Sequence, residues 1–359
     1  MKNIFRQAAV ILIFLGGWYL FSLFLSYHFY PGHVAVDNSN TEPSSKIKNS
    51  IFLSDSADDL FGFWGIKSGP KRMIILGASN AQEGILPSVL HQQLPDFTVY
   101  NASVGGSNTT QIRQIVDVIR MSNPGSLKGT IFILGVFFGT FVNDDSQVGH
   151  VLWQGKNITL LQLEGLRYGF YRPNDKTLEL TINPSLMPLT VQLIRPLLFW
   201  DIFFFDLRVD YADFWERLHS KKANQVETMT EATKEGAVTN WKKLGNLKDF
   251  AEAPEMDDFV SFCRELNQSG ASVVVVDLPL PQWLRDRSEY YKKYVIQRNL
   301  YLNEIKKIPR IQYLDVDARL ANTPDINFLD SSHPSKETAK LWSEQIASFI
   351  QAEHNSLGF

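Results

Sequence analysis

Short apolar runs alternate with amphipathic segments through most of the chain after residue 70. A run of branched apolar residues is typical of a strand buried on both faces of a sheet, whereas apolar residues three or four apart indicate a helix. Their alternation predicts an α/β fold, a three-layer sandwich around a central parallel sheet of about five strands. The predicted strands are Met73–Leu76, Phe97–Asn101, Thr130–Val136, Ser272–Leu278 and Ile311–Val316, and helices are predicted at Met256–Gln268 and Tyr290–Lys307.

The N-terminal pattern is different, because it is apolar without interruption from Ala8 to Tyr27. About 20 uncharged residues are enough for a helix that crosses a bilayer, whereas a cleavable signal peptide has a core of about 7–15. We therefore predict an uncleaved anchor at 8–27. Lys2 and Arg6 place residues 1–7 in the cytoplasm and the rest outside it. The predicted location is the bacterial cytoplasmic membrane, single-pass, with the folded domain periplasmic or extracellular.

Composition divides the remaining chain into a linker, a domain and an insert. Residues 28–70 are rich in polar residues, Pro and Gly, and are predicted to form a linker and a docking segment. A single domain follows at 71–352, with a short tail at 353–359. The strand and helix pattern is interrupted at about 140–255, which is too long for a loop and predicts an inserted lobe.

The most apolar part of the insert, Leu186–Leu207, resembles a second membrane span. Arg195, Pro196, Asp201 and Asp206 interrupt it, and a charge at the centre of a bilayer costs a few kcal/mol. Two alternatives stay open. The lobe either packs on the sheet or rests on the membrane surface.

A serine follows the first predicted strand directly. Ser79 lies after Gly77, where the strand gives way to a helical pattern. This places it at the carboxyl edge of the sheet, where open α/β folds hold their sites, and at the positive end of a helix. Capping the helix is the simpler role for such a serine.

An aspartate and a histidine near the other end of the chain favour a catalytic role for that serine. Asp330 precedes His333 by three residues, just before a strongly amphipathic helix. A histidine there can take the serine proton if a carboxylate orients its ring and stabilises the imidazolium. We predict Ser79, His333 and Asp330 as a catalytic triad.

Acyl chemistry at a serine also needs donors for the oxyanion. Gly106 lies in a glycine pair beyond the second strand, at the same sheet edge, where a bare backbone N–H can approach a substrate. The backbone N–H of Ser79 is a second candidate, and the side chain of Asn80 or Asn143 a third. A plain glycine turn between strand and helix is the alternative for the pair.

Composition excludes several other functions. A net charge of −3 gives no basic surface for nucleic acid, and no group of His, Cys and carboxylates has metal-ligand spacing, so no metal or cofactor is expected. The only cysteine, Cys263, lies on the apolar face of a predicted helix and is expected to pack in the core. Aromatic residues of the insert are either core residues or platforms for sugar rings: Trp153, Phe170, Tyr171, Trp200 and Trp215.

Three blocks of the sequence resemble the SGNH (GDSL-type) hydrolase superfamily. They are Gly77-Ala78-Ser79-Asn80, Asn101-Ala102-Ser103-Val104-Gly105-Gly106 and Asp330-Ser331-Ser332-His333-Pro334. The resemblance implies Ser79 as nucleophile, His333 as base, Asp330 as the orienting acid and Gly106 as an oxyanion donor. One block differs, because the stretch 135–139 lacks the asparagine that the family usually carries after its third strand.

The N-terminal anchor, together with the absence of that asparagine, resembles the acyltransferase branch of the superfamily. This branch includes alginate O-acetyltransferase-like and DltD-like proteins. The resemblance implies transfer of acetyl or another acyl group to a cell-envelope or extracellular polysaccharide, with a membrane-bound O-acyltransferase as donor partner. Two alternatives are a membrane-anchored carbohydrate esterase or deacetylase, and an inactive scaffold that binds polysaccharide or the membrane acyltransferase.

Overall fold

The structure is a computed structural model. It describes residues 2–29, 66, 71–122, 125, 127–141, 254–319 and 324–358. Within the insert it describes 150–153, 156–159, 162, 166, 169, 171–174, 177–183, 186, 189–190, 193–197, 199–200, 203–204 and 229–244.

The first described element is the N-terminal helix α1 (Lys2–Phe29), and helices and strands follow it along the chain. The first half of the chain contains β1 (Arg72–Gly77), α2 (Ser79–Gly84), α3 (Pro87–Gln93), β2 (Thr98–Asn101), α4 (Thr109–Ser122) and β3 (Thr130–Val136). The insert contributes β4 (His150–Trp153), β5 (Lys156–Thr159), β6 (Tyr171–Asn174), β7 (Thr177–Leu180) and α5 (Glu231–Leu244). The last part contains α6 (Pro254–Gln268), β8 (Ser272–Asp277), α7 (Gln282–Arg287), α8 (Glu289–Ile305), β9 (Ile311–Asp315), α9 (Val316–Arg319), α10 (Lys336–Ala352) and α11 (His354–Leu357).

Five strands form one parallel sheet in the order β2-β1-β3-β8-β9, which confirms the predicted fold class and all five strands. The central strands β1, β3 and β8 are buried at every position, because helices cover both faces. The chain leaves β1 toward β2 on one side and returns to β3 on the other. The carboxyl ends of β1 and β3 are therefore the point at which the strand order reverses, where open α/β sheets bind ligands.

Two hydrophobic cores lie on opposite faces of the sheet. One face packs against α4, α6 and α8, and includes Phe132, Phe259 and Tyr294. The other packs against α2, α3 and α10, and includes Leu90 and Trp342. The predicted core position of Cys263 is confirmed, since its side chain is fully buried and burial raises the pKa of the thiol.

Part of the insert packs on the sheet domain. Two antiparallel hairpins, β4–β5 and β6–β7, precede α5. Leu178 of β7 is buried in the core beside α4, and Val238 and Trp241 of α5 pack against the same core. The insert is therefore attached to the domain through β7 and α5.

The N-terminal helix has the length and composition of a membrane span, and the C-terminal residues pack on the folded domain. The helix α1 contains a 26-residue stretch, Asn3–His28, that is long and apolar enough to cross a membrane. Most of the predicted linker lies outside the described residues, and Ile66 near its end is buried. Residues 353–359, predicted as a tail, contain α11, whose Leu357 is buried and whose carbonyl accepts the Ser272 hydroxyl at 2.6 Å. The folded domain therefore extends to at least residue 357.

Candidate active site

Ser79, His333 and Asp330 form a continuous chain of hydrogen bonds. The Ser79 Oγ lies 2.7 Å from His333 Nε2, and His333 Nδ1 lies 2.6 Å from Asp330 Oδ2. Because an ionised carboxylate only accepts, we assign the proton of the neutral ring to Nδ1. The Nε2 lone pair then faces the serine hydroxyl, which is the arrangement that general-base catalysis requires.

The loop that carries Asp330 holds its carboxylate in place. Oδ1 accepts the backbone N–H groups of Ser332 and His333 at 2.8 and 2.9 Å, while Oδ2 faces the imidazole. Partial burial acts to raise the pKa of Asp330. The hydrogen bond and charge of His333, with the two backbone N–H groups, outweigh that effect and lower the pKa below its ordinary value. The carboxylate therefore stays ionised to orient His333.

Two glycines let the helix that begins with Ser79 lie directly on the sheet. A Cβ on Gly77 would lie 2.5 Å from the Ala81 Cβ and 2.6 Å from the Gly135 carbonyl oxygen. A Cβ on Gly135, its register partner on β3, would lie 2.6 Å from the same Ala81 Cβ. None of these three distances leaves room for a Cβ atom at Gly77 or Gly135. The serine is thus positioned by close packing of α2 on β1 and β3.

A third glycine brings the histidine loop to the same helix. A Cβ on Gly84, at the end of α2, would lie 2.8 Å from the Trp342 ring and 3.3 Å from Pro334. Trp342 belongs to α10, which follows the loop, and Pro334 follows His333 directly. Leu329 N–H also donates to the His333 carbonyl at 2.8 Å and closes the loop. Contact at Gly84 therefore helps to fix the distance between the two ends of the triad.

The loop after β2 places the glycine pair beside the serine. Val104 N–H donates to the Gly77 carbonyl at 3.0 Å, and Asn101 Nδ2 donates to the Gln82 carbonyl at 3.0 Å. A Cβ on Gly105 would lie 3.8 Å from the Ser79 Cβ, and the chain turns at Gly106 with φ of 76°, a value that favours glycine. The backbone of this loop can therefore approach a substrate at Ser79.

The other predicted oxyanion donors have different surroundings. Ser79 is the first residue of α2, and the N–H groups of a helix's first turn have no partner within the helix. Asn80 is buried, its Oδ1 accepts the Ala81 N–H at 3.0 Å, and its Nδ2 has no acceptor among the described residues. Asn143 lies outside the described residues.

A tryptophan of the insert, not identified from the sequence, lies next to the triad. Trp241 of α5 packs edge-on against Phe138 and Phe137, with ring centroids 4.7 and 5.7 Å away. Its Nε1 lies 3.5 Å from the Ser331 hydroxyl, directly after Asp330. In the sequence, Trp241 is a single tryptophan within a polar run, and hydrophobic periodicity does not show whether such a residue is buried or exposed. The insert thus contributes a partly buried tryptophan beside the loop that carries Asp330 and His333.

Of the five aromatic residues that are candidates for sugar binding, the structure describes the side chain of Trp200. Trp153 and Tyr171 lie on β4 and β6, and Phe170 and Trp215 lie outside the described residues. Trp200 stacks on Trp18 of α1, so its ring is used in a contact with the N-terminal helix.

Comparison with known proteins adds no assignment. The sequence matches no protein-family model and no curated protein.

In the part of the chain that the structure describes, no group of three or more His, Cys, Asp or Glu side chains is arranged to hold a metal ion. The chemical capacity of the site therefore follows from its geometry, which offers an oriented base, a serine hydroxyl and nearby backbone donors.

Proposed function

We propose that this protein is an extracytoplasmic O-acyltransferase that forms an acyl-enzyme at Ser79 and passes the acyl group, expected to be acetyl, to a polysaccharide. The observation that supports the proposal is the hydrogen-bond chain from Ser79 Oγ through His333 to Asp330. The three groups come from opposite ends of the sequence and meet at the sheet edge where the strand order reverses. Structural serines and histidines have no need of this alignment.

The reaction proceeds by double displacement. The proton of Ser79 passes to His333 Nε2 as Oγ forms a bond with the acyl carbon of an ester or thioester donor. The backbone N–H groups of Ser79 and the Gly105–Gly106 loop stabilise the oxyanion. The bond to the leaving group then breaks, and that group takes the proton from His333. A sugar hydroxyl gives its proton to His333, attacks the acyl-enzyme and releases Ser79, which regains its proton.

Transfer to a sugar requires that water compete poorly for the acyl-enzyme. Trp241 supports transfer because its partly buried ring, packed on the buried Phe137 and Phe138 beside the loop of Asp330, gives that side of the site an apolar surface that limits hydration and suits the face of a sugar ring. The N-terminal anchor supports an acyl donor at the membrane, such as a membrane-bound O-acyltransferase. The location expected for the domain is then periplasmic or extracellular.

Hydrolysis is the second candidate function, favoured by the exposure of the triad. The side chains of His333 and Asp330 are 23% and 49% exposed, so water reaches the base. The protein would then be a membrane-anchored carbohydrate esterase or deacetylase with the same three residues. The third candidate is an inactive scaffold. The absence of an asparagine at 135–139 favours it.

Two measurements on the full-length protein in detergent separate these functions. A fluorophosphonate probe tests for a reactive serine, with Ser79→Ala as the negative variant and Ser348→Ala, an exposed serine of α10, as the matched control. Labelling of wild type and Ser348→Ala, but not Ser79→Ala, is expected. Equal labelling of all three, or none in the folded wild type, would contradict the catalytic proposal.

Transfer and hydrolysis are then separated with p-nitrophenyl acetate, with and without an oligosaccharide acceptor. Acetylated oligosaccharide that depends on Ser79 is expected from a transferase. Release of acetate alone at every acceptor concentration would assign the esterase function instead.

A further inference from the structure

The insert contacts α1 along the C-terminal half of that helix. The ring of Trp200 stacks on Trp18 with centroids 5.4 Å apart, and its Nε1 donates to the Ser22 hydroxyl at 2.8 Å. The Tyr19 hydroxyl donates to the Leu193 carbonyl at 3.0 Å. These contacts tie the insert to a helix that has the length and composition of a membrane span.

A charged residue of the insert is satisfied by the end of the same helix. Arg195 is 5% exposed, and it donates from Nε to the Ser26 hydroxyl at 3.1 Å and from Nη2 to the Ser26 carbonyl at 3.2 Å. Its guanidinium also lies 4.2 Å from the ring centroid of Tyr27. A buried charge needs such partners. Arg195 therefore does not prevent this part of the insert from lying in an apolar environment.

Several described residues of the same part of the insert are apolar and exposed. Residues 193–197 and 199–200 are helical, and Leu193 and Leu197 lie four residues apart, on one helix face. The exposed fractions are large: Leu189 60%, Leu193 55%, Leu197 65% and Phe204 60%. A concentration of exposed apolar side chains of this kind marks an interaction site.

The depth of the contact can be estimated from helix geometry. Trp18 and Tyr27 lie about 14 Å apart along α1 at the rise of an α-helix. Half of the hydrocarbon core of a bilayer is about 15 Å thick. If 8–27 crosses that core, the contacts from Trp18 to Tyr27 fill the half nearer the folded domain. Whatever packs on α1 there lies at the same depth.

We propose that the described residues 186, 189–190, 193–197, 199–200 and 203–204, here called the insert anchor, are embedded in the membrane leaflet nearest the folded domain, with lipid acyl chains against Leu189, Leu193, Leu197 and Phe204. Lipid is the occupant because the insert anchor packs on α1, whose own exposed side chains are apolar, with Leu15 and Leu20 54% and 64% exposed. The insert anchor does not cross the bilayer. The inference rests on these contacts alone and is independent of the chemistry at Ser79.

Spin-label accessibility in liposomes tests the proposal directly. The only native cysteine, Cys263, is buried, so a Cys263→Ala background accepts single labels at chosen positions. Labels are placed at Leu193→Cys and Leu197→Cys, with Leu12→Cys on α1 as the membrane reference. Ile296→Cys on α8 is the matched control, because Ile296 is 67% exposed and apolar but belongs to the sheet domain.

Membrane-embedded labels collide more with oxygen than with a water-soluble nickel chelate, and labels in water show the reverse. We expect the labels at Leu193 and Leu197 to behave like the label at Leu12 and unlike the label at Ile296. Behaviour like that at Ile296 would overturn the proposal. Protection from both reagents would also overturn it, since a second protein copy would then cover the face. Circular dichroism of each variant shows that it is folded, and Phe204→Cys replaces either variant that is not.

Discussion

Ser79 Oγ and His333 Nε2 lie 2.7 Å apart although 254 residues separate them in the chain. No local segment brings them together. The contact depends on the packing of α2 on the sheet and of the histidine loop on the end of α2. The site is therefore a property of the whole fold, and substitutions at the glycines of these contacts should also disturb it.

Replacement of Asp330 should reduce the rate at which a fluorophosphonate labels Ser79. In Asp330→Asn the side chain no longer favours the Nδ1–H tautomer or stabilises an imidazolium, so we expect a reduction of about 10²- to 10⁴-fold. The measurement is the labelling rate at neutral pH, with Asp325→Asn, an exposed acid upstream, as control. An unchanged rate in Asp330→Asn would remove Asp330 from the triad.

The same substitution should alter the pH dependence of stability. The folded-state pKa of Asp330 is lowered, so its stabilising contribution is present above its ordinary value near 3.8 and is lost as pH falls through the lower value. Wild type should therefore exceed Asp330→Asn in free energy of unfolding at pH 7, and the difference should shrink at strongly acidic pH. Urea denaturation across that range checks this, and a difference that grows on acidification would contradict it.

Gly77→Ala should destabilise the domain by about 1–3 kcal/mol or prevent folding, because the new methyl group meets Ala81 and the Gly135 carbonyl. The control is Gly236→Ala on the exposed surface of α5, where nothing lies within 4 Å of the new methyl group. Alanine is the better helix former there and should stabilise by about 0.5–1 kcal/mol. Thermal unfolding compares the two, and equal effects would refute the packing argument.

A buried carboxylate away from the triad should make stability fall as pH rises. Burial raises the pKa of Asp277 to about 6, although Arg298 and Tyr313 donate hydrogen bonds to it. The folded protein then binds more protons than the unfolded chain between about pH 4 and 6. The free energy of unfolding should decrease by about 3 kcal/mol across that interval. Asp277→Asn should lose this dependence, and an identical slope in both proteins would contradict the assignment.

Trp241→Ala should reduce acyl transfer to an acceptor more than it reduces the labelling of Ser79. The apolar indole beside the loop of Asp330 would be lost, and we expect about a tenfold lower ratio of transfer to hydrolysis, equal to about 1.4 kcal/mol. Trp241→Phe keeps the ring packing against Phe137 and Phe138 but removes the N–H near Ser331, and should retain most of the ratio. Equal ratios in wild type and Trp241→Ala would leave Trp241 with a structural role only.

The sheet and the triad residues could be predicted because their signals are local. Strands such as β1 and β8 are covered on both faces, so they appear as unbroken apolar runs. Ser79 follows such a run directly, and Asp330 and His333 share one short loop. The prediction that they meet rested on pairing a serine at a strand end with an aspartate–histidine loop that could activate it, and on the resemblance of these blocks to a known superfamily.

The contacts of the insert could not be predicted, because periodicity shows which face is apolar but not what covers it. Trp241 and Trp200 lie in the same insert, yet one packs beside the loop of Asp330 and His333 and the other against α1. The helix α11 was missed for a related reason. It is one turn long, and a single buried residue, Leu357, does not make a pattern.

The attachment of the insert at both ends has a mechanical consequence. Leu178 and Trp241 pack on the sheet domain, and Arg195 and Trp200 contact α1, so the insert joins the domain to that helix in addition to the chain itself. A domain held in this way moves through a smaller volume than one joined to α1 by a linker alone. If α1 spans a membrane and the proposed function holds, an acceptor polymer would have to pass close to the lipid surface to be modified.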